Sequence, residues 1–151
     1  MSTGTISNVG TGTIFVINFT NTGTTATLPS LTYTAGSLTD LSGKSLATVT
    51  KVAIDKAPPR FTSAEIYDTN GNGKVDRIIA YASENLSAST NTSSWTINSP
   101  LAGVSVASAS VSGSSAILTL AEPTVANTST GGMTLSFANN GSWKDSSNNI
   151  A

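Results

Sequence analysis

Apolar residues recur at every second position in short bursts, and each burst is closed by Gly, Asn, Ser or Pro. That spacing turns one side of an extended chain toward a core and the other toward water. No segment holds a 3.6-residue period for three turns, so essentially no α-helix is expected. Strands are predicted over Thr13–Phe19, Leu31–Thr34, Ala47–Ile54, Phe61–Tyr67, Val75–Ser83, Ser94–Asn98, Val104–Val111, Ala116–Leu120 and Met133–Phe137. Val75–Ser83 is densely apolar and reads as a buried central strand. Short strands with turn signals between them predict an all-β, antiparallel sandwich.

The side chains between the apolar positions are mostly neutral. Of 151 residues, 24 are Ser and 24 are Thr, and only 10% are charged. Hydrated Ser and Thr suit exposed strand faces. Regular apolar runs and a net charge of -1 argue against a disordered chain. There is no Cys, which removes disulfides, thiol nucleophiles and zinc-finger ligand sets. There is no His, which removes every mechanism that needs an imidazole base. No G-x-S-x-G elbow is present either, so the chain is expected not to be an enzyme. A Lys–Asn isopeptide crosslink remains formally open, with Lys51 the lysine on a probable strand. Seven basic residues against eight acidic ones give no electrostatic footprint for nucleic acid. No apolar run reaches the length of a membrane span. Met1-Ser-Thr-Gly-Thr5 is not a signal peptide. The expectation is therefore a removed signal or a piece of a longer chain.

The sequence also repeats itself. Leu31, Tyr33, Ser37, Leu38, Asp40 and Ala47 match Met133, Leu135, Ser142, Trp143, Asp145 and Ala151. Upstream, Gly10, Ile14 and Ile17 match Gly113, Ile117 and Leu120. The offset is 103 residues from Gly10 to Gly113 and 104 from Ala47 to Ala151. A unit of roughly 100 residues is a normal sandwich-domain size. Residues 1–56 then form the back half of one unit with its linker, and 57–151 a nearly complete second unit without its last strand. Asp55-Lys-Ala-Pro-Pro-Arg60 is a short stiff linker, because two prolines favour an extended backbone. A unit without its last strand leaves an open sheet edge, so neighbouring repeats or copies of the chain are the expected partners.

Chemistry concentrates in Tyr67-Asp-Thr-Asn-Gly-Asn-Gly-Lys-Val-Asp-Arg77. Asp68, Asn70 and Asn72 hold positions 1, 3 and 5 of a tight loop, with Gly73 at position 6. Lys74 offers a carbonyl at position 7 and Asp76 a second carboxylate at position 9. Hard cations such as calcium take six to eight oxygen ligands, and this spacing converges them. Position 12 is Ile79 and strands flank the loop, so it is not an EF-hand. The other reading is a plain hairpin turn, for which Asn-Gly is the strongest short signal.

The remaining candidates have a structural and a functional reading each. Asp40 and Asp145 sit in matching turns that favour an Asx-turn role. Glu84 reads as a solvated or capping carboxylate, or as a ligand shared with Asp55. Trp95 and Trp143 read as core residues, or as a platform for surface glycans.

The string Asp55-Lys-Ala-Pro-Pro59, the D-T-N-G-N-G-K-V-D-R-I run, Ala82-Ser83-Glu84 and the closing D-x-x-G/N-x-L/I-A resemble bacterial Ig-like repeats of the S-layer type, the SbsA-like Ig modules. The resemblance covers the second unit and the back half of the first. It implies a tandem Ig-like sandwich in an extracellular, cell-surface protein. A structural module rigidified by calcium is the expected function, and an adhesin or carbohydrate-binding module the alternative. Lys44 follows Gly43 in the first closing turn, and the second closing turn has no Gly. Asn85 stands where the family often has Pro.

Overall fold

The computed structural model describes Thr5–Ser7, Val16–Asn18 and residues 30–151. Among the described residues there is no helix, and ten strands account for the regular structure. They are β1 (Thr5–Ser7), β2 (Val16–Asn18), β3 (Ser30–Tyr33), β4 (Val49–Val52), β5 (Phe61–Tyr67), β6 (Arg77–Ala82), β7 (Trp95–Asn98), β8 (Ser105–Ser112), β9 (Ser115–Ala121) and β10 (Thr134–Phe137). Every strand pair is antiparallel. Gly10 and Ile14, two anchors of the expected repeat, lie outside the described residues, as do parts of the predicted strand Thr13–Phe19.

Residues 61–137 build two sheets, one of order β5-β6-β9-β8 and one of order β10-β7. Their inward residues come from the period-2 pattern. Ile78 and Ala80 on β6 lie opposite Leu118 and Ala116 on β9, and all four are buried. Ala109 and Val111 on β8 face the same two β9 residues. On the second sheet Trp95 pairs with Phe137 and Ile97 with Leu135. Buried residues of both sheets form one core, so this part of the chain is sandwich-like. Phe61, Trp95, Phe137 and Trp143 make its aromatic end, with ring centroids 4.7–6.2 Å apart. Edge-to-face geometry dominates there, as ring quadrupoles favour.

The chain changes sheet in a fixed order. β5 and β6 are in the larger sheet, β7 crosses to the smaller, β8 and β9 return, and β10 crosses again. β3 and β4 form a separate two-stranded sheet, as do β1 and β2. Among the described residues, neither hairpin packs strand against strand with the sandwich. The β3–β4 region keeps Leu31, Leu46, Val52 and Ile54 well exposed.

Two closing turns carry the same bonds. The Asp40 amide donates to the Lys44 carbonyl at 2.9 Å, and the Asp145 amide to the Asn149 carbonyl at 3.1 Å. Asp40 Oδ1 accepts from the amides of Ser42 and Lys44, and Asp145 Oδ1 from those of Ser147 and Asn149. Gly43 has a φ of 79° and Asn148 a φ of 66°, so Asn148 takes the left-handed place of the absent glycine. Asn tolerates that region better than other side chains do. Leu46 bonds Leu38 as Ala151 bonds Trp143. The backbone therefore aligns Ala151 with Leu46, one residue earlier than the sequence match to Ala47.

Candidate metal centre

Three carboxylates from separate parts of the chain converge at the foot of the sandwich. One carboxylate oxygen each of Asp55, Glu84 and Asp145 lies within 4.8 Å of the other two. Asp145 is 1% exposed, and Asp55 and Glu84 are partly buried. This triad could hold a metal ion.

Each member is placed by backbone chemistry. Asp55 opens the linker, and its Oδ1 accepts from the Ala57 amide at 3.0 Å. The linker is then fastened to the sandwich. Pro59 is fully buried, the Arg60 amide donates to Ser83 Oγ at 3.1 Å, and the Ser83 amide to the Arg60 carbonyl at 2.8 Å. Ser83 follows β6, so these bonds set Glu84 beside the linker. The next residues bind the closing turn. Leu86 bridges Asp145, the Ser87 amide donates to the Lys144 carbonyl at 2.7 Å, and Ser87 Oγ to the Asp145 carbonyl at 2.6 Å. Trp143, fully buried, anchors that turn through Nε1–H to the Asn91 carbonyl at 3.1 Å.

Asp145 does two things. Its Oδ1 takes two amide N–H groups, and its Oδ2 takes one from Asn149 Nδ2, each at 2.8 Å. Oδ2 therefore keeps a lone pair beyond the turn, since a carboxylate has about four acceptor positions. Two oxygens bound to one calcium at about 2.3–2.6 Å stand at most about 5.2 Å apart. The triad spacing falls inside that bound.

The Asn-Gly loop is a different structure. Asp68 Oδ1 accepts from the amides of Gly71 and Asn72, and Oδ2 from that of Gly73. Asn70 Oδ1 accepts from the Asn72 amide and Asn72 Oδ1 from the Lys74 amide. Asp76 accepts from the amide and hydroxyl of Thr69. The Thr69 hydroxyl bond is the main cause that holds the Asp76 carboxyl below its ordinary range. Every side-chain oxygen of Asp68, Asn70, Asn72 and Asp76 thus already serves the turn. Gly71 and Gly73, at φ 71° and 80°, let the backbone follow.

Glu122, which the sequence pattern does not single out, closes the loop from outside. Its Oε1 accepts from Asn70 Nδ2 and Asn72 Nδ2 at 3.0 Å, and Lys74 Nζ stands 3.8 Å from Oε2. Trp95 and Trp143 are buried. They belong to the core, and neither presents a face to a glycan.

A second group of polar side chains, Glu65, Tyr67 and Tyr81, sits on the outer side of β5 and β6. Glu65 Oε2 accepts from the hydroxyls of Tyr67 and Tyr81. The Tyr67 hydroxyl, then that of Tyr81, draws the Glu65 carboxyl below its usual range, and the carboxylate raises both phenols.

Comparison of the chain with protein families, curated proteins and solved structures gives no match. The fold and the triad are therefore the basis for a functional reading.

Proposed function

We propose that this chain is a non-enzymatic structural module of a bacterial cell-surface or S-layer-like protein, built of tandem Ig-like repeats and stiffened by calcium at Asp55, Glu84 and Asp145. The observation that carries the reading is the triad itself. It joins the linker to the foot and the closing turn of the unit that follows, so one ion there would fix the linker to that unit. Hard oxygen ligands suit calcium, and an extracellular module needs only weak affinity to stay loaded.

The strand order supports the Ig-like part. Four strands in the order first, second, fifth, fourth face a sheet of the third and sixth, which is the Ig constant-type arrangement without its seventh strand. The matching closing turns support the repeat. The loop from Asp68 to Asp76 is the weaker calcium candidate, because it brings two carboxylates of its own, Asp68 and Asp76, against the three of the triad. Extracellular placement rests on the resemblance and on the Ser/Thr-rich surface.

The test is a melting curve in calcium and in excess chelator. At a calcium concentration of about 100 times Kd, binding stabilises the folded state by about 2.7 kcal/mol, which is a shift of several degrees. Glu84→Gln should abolish that shift and Asp68→Asn should retain it. Equal melting temperatures in both conditions would remove calcium from the reading. A shift abolished only by Asp68→Asn would move the ion to the loop.

A further inference from the structure

The larger sheet ends on β8, which runs in the chain between β7 and β9. Its outer edge has no strand partner among the described residues. Edge strands are ordinarily guarded by charge, proline or shortness. β5, at the other edge of this sheet, carries Glu65 and is entered through Pro58 and Pro59. β8 is Ser105-Val-Ala-Ser-Ala-Ser-Val-Ser112, eight residues with no charge and no proline. A register shift between Val106 and Ser108 interrupts it and leaves residues 108–112 as regular strand.

The backbone direction along this edge follows from printed bonds further in. The Leu120 amide donates to the Asp76 carbonyl and the Ala82 amide to the Ser114 carbonyl, both at 2.8 Å. Bonded pairs alternate along an antiparallel ladder, so even-numbered residues of β9 bond toward β6 and odd-numbered ones toward β8. Ser115, Ile117 and Thr119 lie opposite Ser112, Ser110 and Ser108. The N–H and C=O groups of Ala109 and Val111 therefore point out of the sheet. Their side chains face the core, while Ser108, Ser110 and Ser112 are exposed on the other face.

A strand added here has to set outward backbone against outward backbone and its hydrated face beside the serines. β8 of a second copy does both when a two-fold axis passes at Ser110. Ser110 then faces its own counterpart, Ala109 faces Val111, and Ser108 faces Ser112. Ala109 and Val111 exchange their free backbone bonds, and no like charges meet, because β8 has none. Serine hydroxyls fall side by side, as the hydroxyls of Thr32 and Thr50 do across β3 and β4 at 2.9 Å. An edge shaped for a partner of other chemistry would show charge or an aromatic side chain, and β8 shows neither. Shifting the register by one residue would turn serines onto the core face and break the bonding phase.

We propose that the outer edge of β8 is a self-association site, which pairs antiparallel with β8 of a second copy about a two-fold axis at Ser110. The contact is isologous, so it closes at the dimer and joins the two larger sheets into one.

The contact uses none of the triad's residues, and the experiment is run in excess chelator so that the two readings fail separately. Sedimentation of the full chain should show a monomer–dimer equilibrium that goes no further. Hydrogen exchange at the Ala109 and Val111 amides should slow by about tenfold or more in the dimer. Ser110→Lys sets lysine against lysine at an exposed position and should give a monomer with an unchanged melting temperature. The chain has no Cys, so an introduced thiol reports the axis directly. Counterpart Cα atoms at Ser110 would stand about 4.5 Å apart, within disulfide range, and those at Ser108 about 14 Å apart. Under mild oxidation Ser110→Cys should crosslink at least about tenfold faster than Ser108→Cys. A chain that stays monomeric up to about 1 mM overturns the proposal. Association that survives Ser110→Lys, equal crosslinking of the two thiol variants, or growth beyond the dimer also overturns it.

Discussion

Ser94 and Asp76 show how little of a residue's role follows from burial alone. Ser94 is 2% exposed, and its Oγ is buried without a hydrogen-bond partner among the described residues. A buried hydroxyl in that state costs free energy that an alanine methyl does not. Ser94→Ala should therefore be neutral or stabilise by up to about 1 kcal/mol in urea unfolding. A loss larger than that would show that the hydroxyl has a bridging partner. Asp76 is the opposite case, solvent-facing yet well partnered. Its carboxyl is held below the ordinary range by the Thr69 hydroxyl. A depressed folded value means that the stabilisation is present above the unfolded value, near 3.8, and is lost as pH falls through the folded one. Thr69→Val should remove most of this acid-side loss. Chemical unfolding between about pH 5 and 2 checks it, and a slope unchanged by Thr69→Val would refute the cause.

At the scale of elements, the Asn-Gly hairpin is stapled at two levels. Asp68 and Asp76 organise the turn from within, and Glu122 holds its two Asn amides from the end of β9. Glu122→Ala should speed hydrogen exchange at the amides of 70–74 by severalfold while leaving β6 and β9 unchanged, because it removes only the outer clasp. Gly73→Ala should cost more, roughly 1–2 kcal/mol, since a Cβ there meets both a φ of 80° and Ala126 Cβ at 3.3 Å. Near-wild-type stability of Gly73→Ala would mean that the turn relaxes to another conformation.

This loop also shows what a sequence can and cannot reveal. Turn signals at both ends made β5 legible to the residue, Phe61–Tyr67. It placed the start of β6 at Val75, where the strand begins at Arg77. Val75 is indeed buried, at 2%, but as a loop residue wedged into the core. An apolar burst reports burial and does not report ladder hydrogen bonds. The loop's local bonds were likewise readable, being between residues at most eight apart. Glu122 is 52 residues from Asn70, and nothing in its neighbourhood marks it. The triad lies between these cases. Asp55 and Glu84 flank the two ends of the β5–β6 hairpin, whose Phe61–Ala82 pairing brings those ends together. Asp145 was legible as an Asx-turn, which it is, while its approach to the other two depends on the whole sandwich closing.

Across the whole molecule, the proposed ion at the triad makes a prediction about the freedom of the segment around Pro59. Asp55 is the member that belongs to the linker, and Glu84 and Asp145 belong to the sandwich that follows. Lys56 and Arg60 flank the buried Pro59, and both are exposed. Both bonds C-terminal to them, Lys56–Ala57 and Arg60–Phe61, are chemically open to trypsin. Cleavage needs several residues of extended backbone to leave their contacts. An ion on Asp55 would tie the chain one residue before Lys56, so calcium should slow cleavage at Lys56 by about tenfold or more relative to chelator. Lys51 lies on β4, outside the tethered segment, and supplies an internal control whose rate should not change. Asp55→Asn should bring the calcium rate to the chelator rate at Lys56 alone, whereas a general loss of folding would accelerate every site together. Equal rates at Lys56 with and without calcium would mean that the linker is held by the Pro59 and Ser83 contacts alone. The module would then be rigid through packing, and the three carboxylates would have no part in its stiffness.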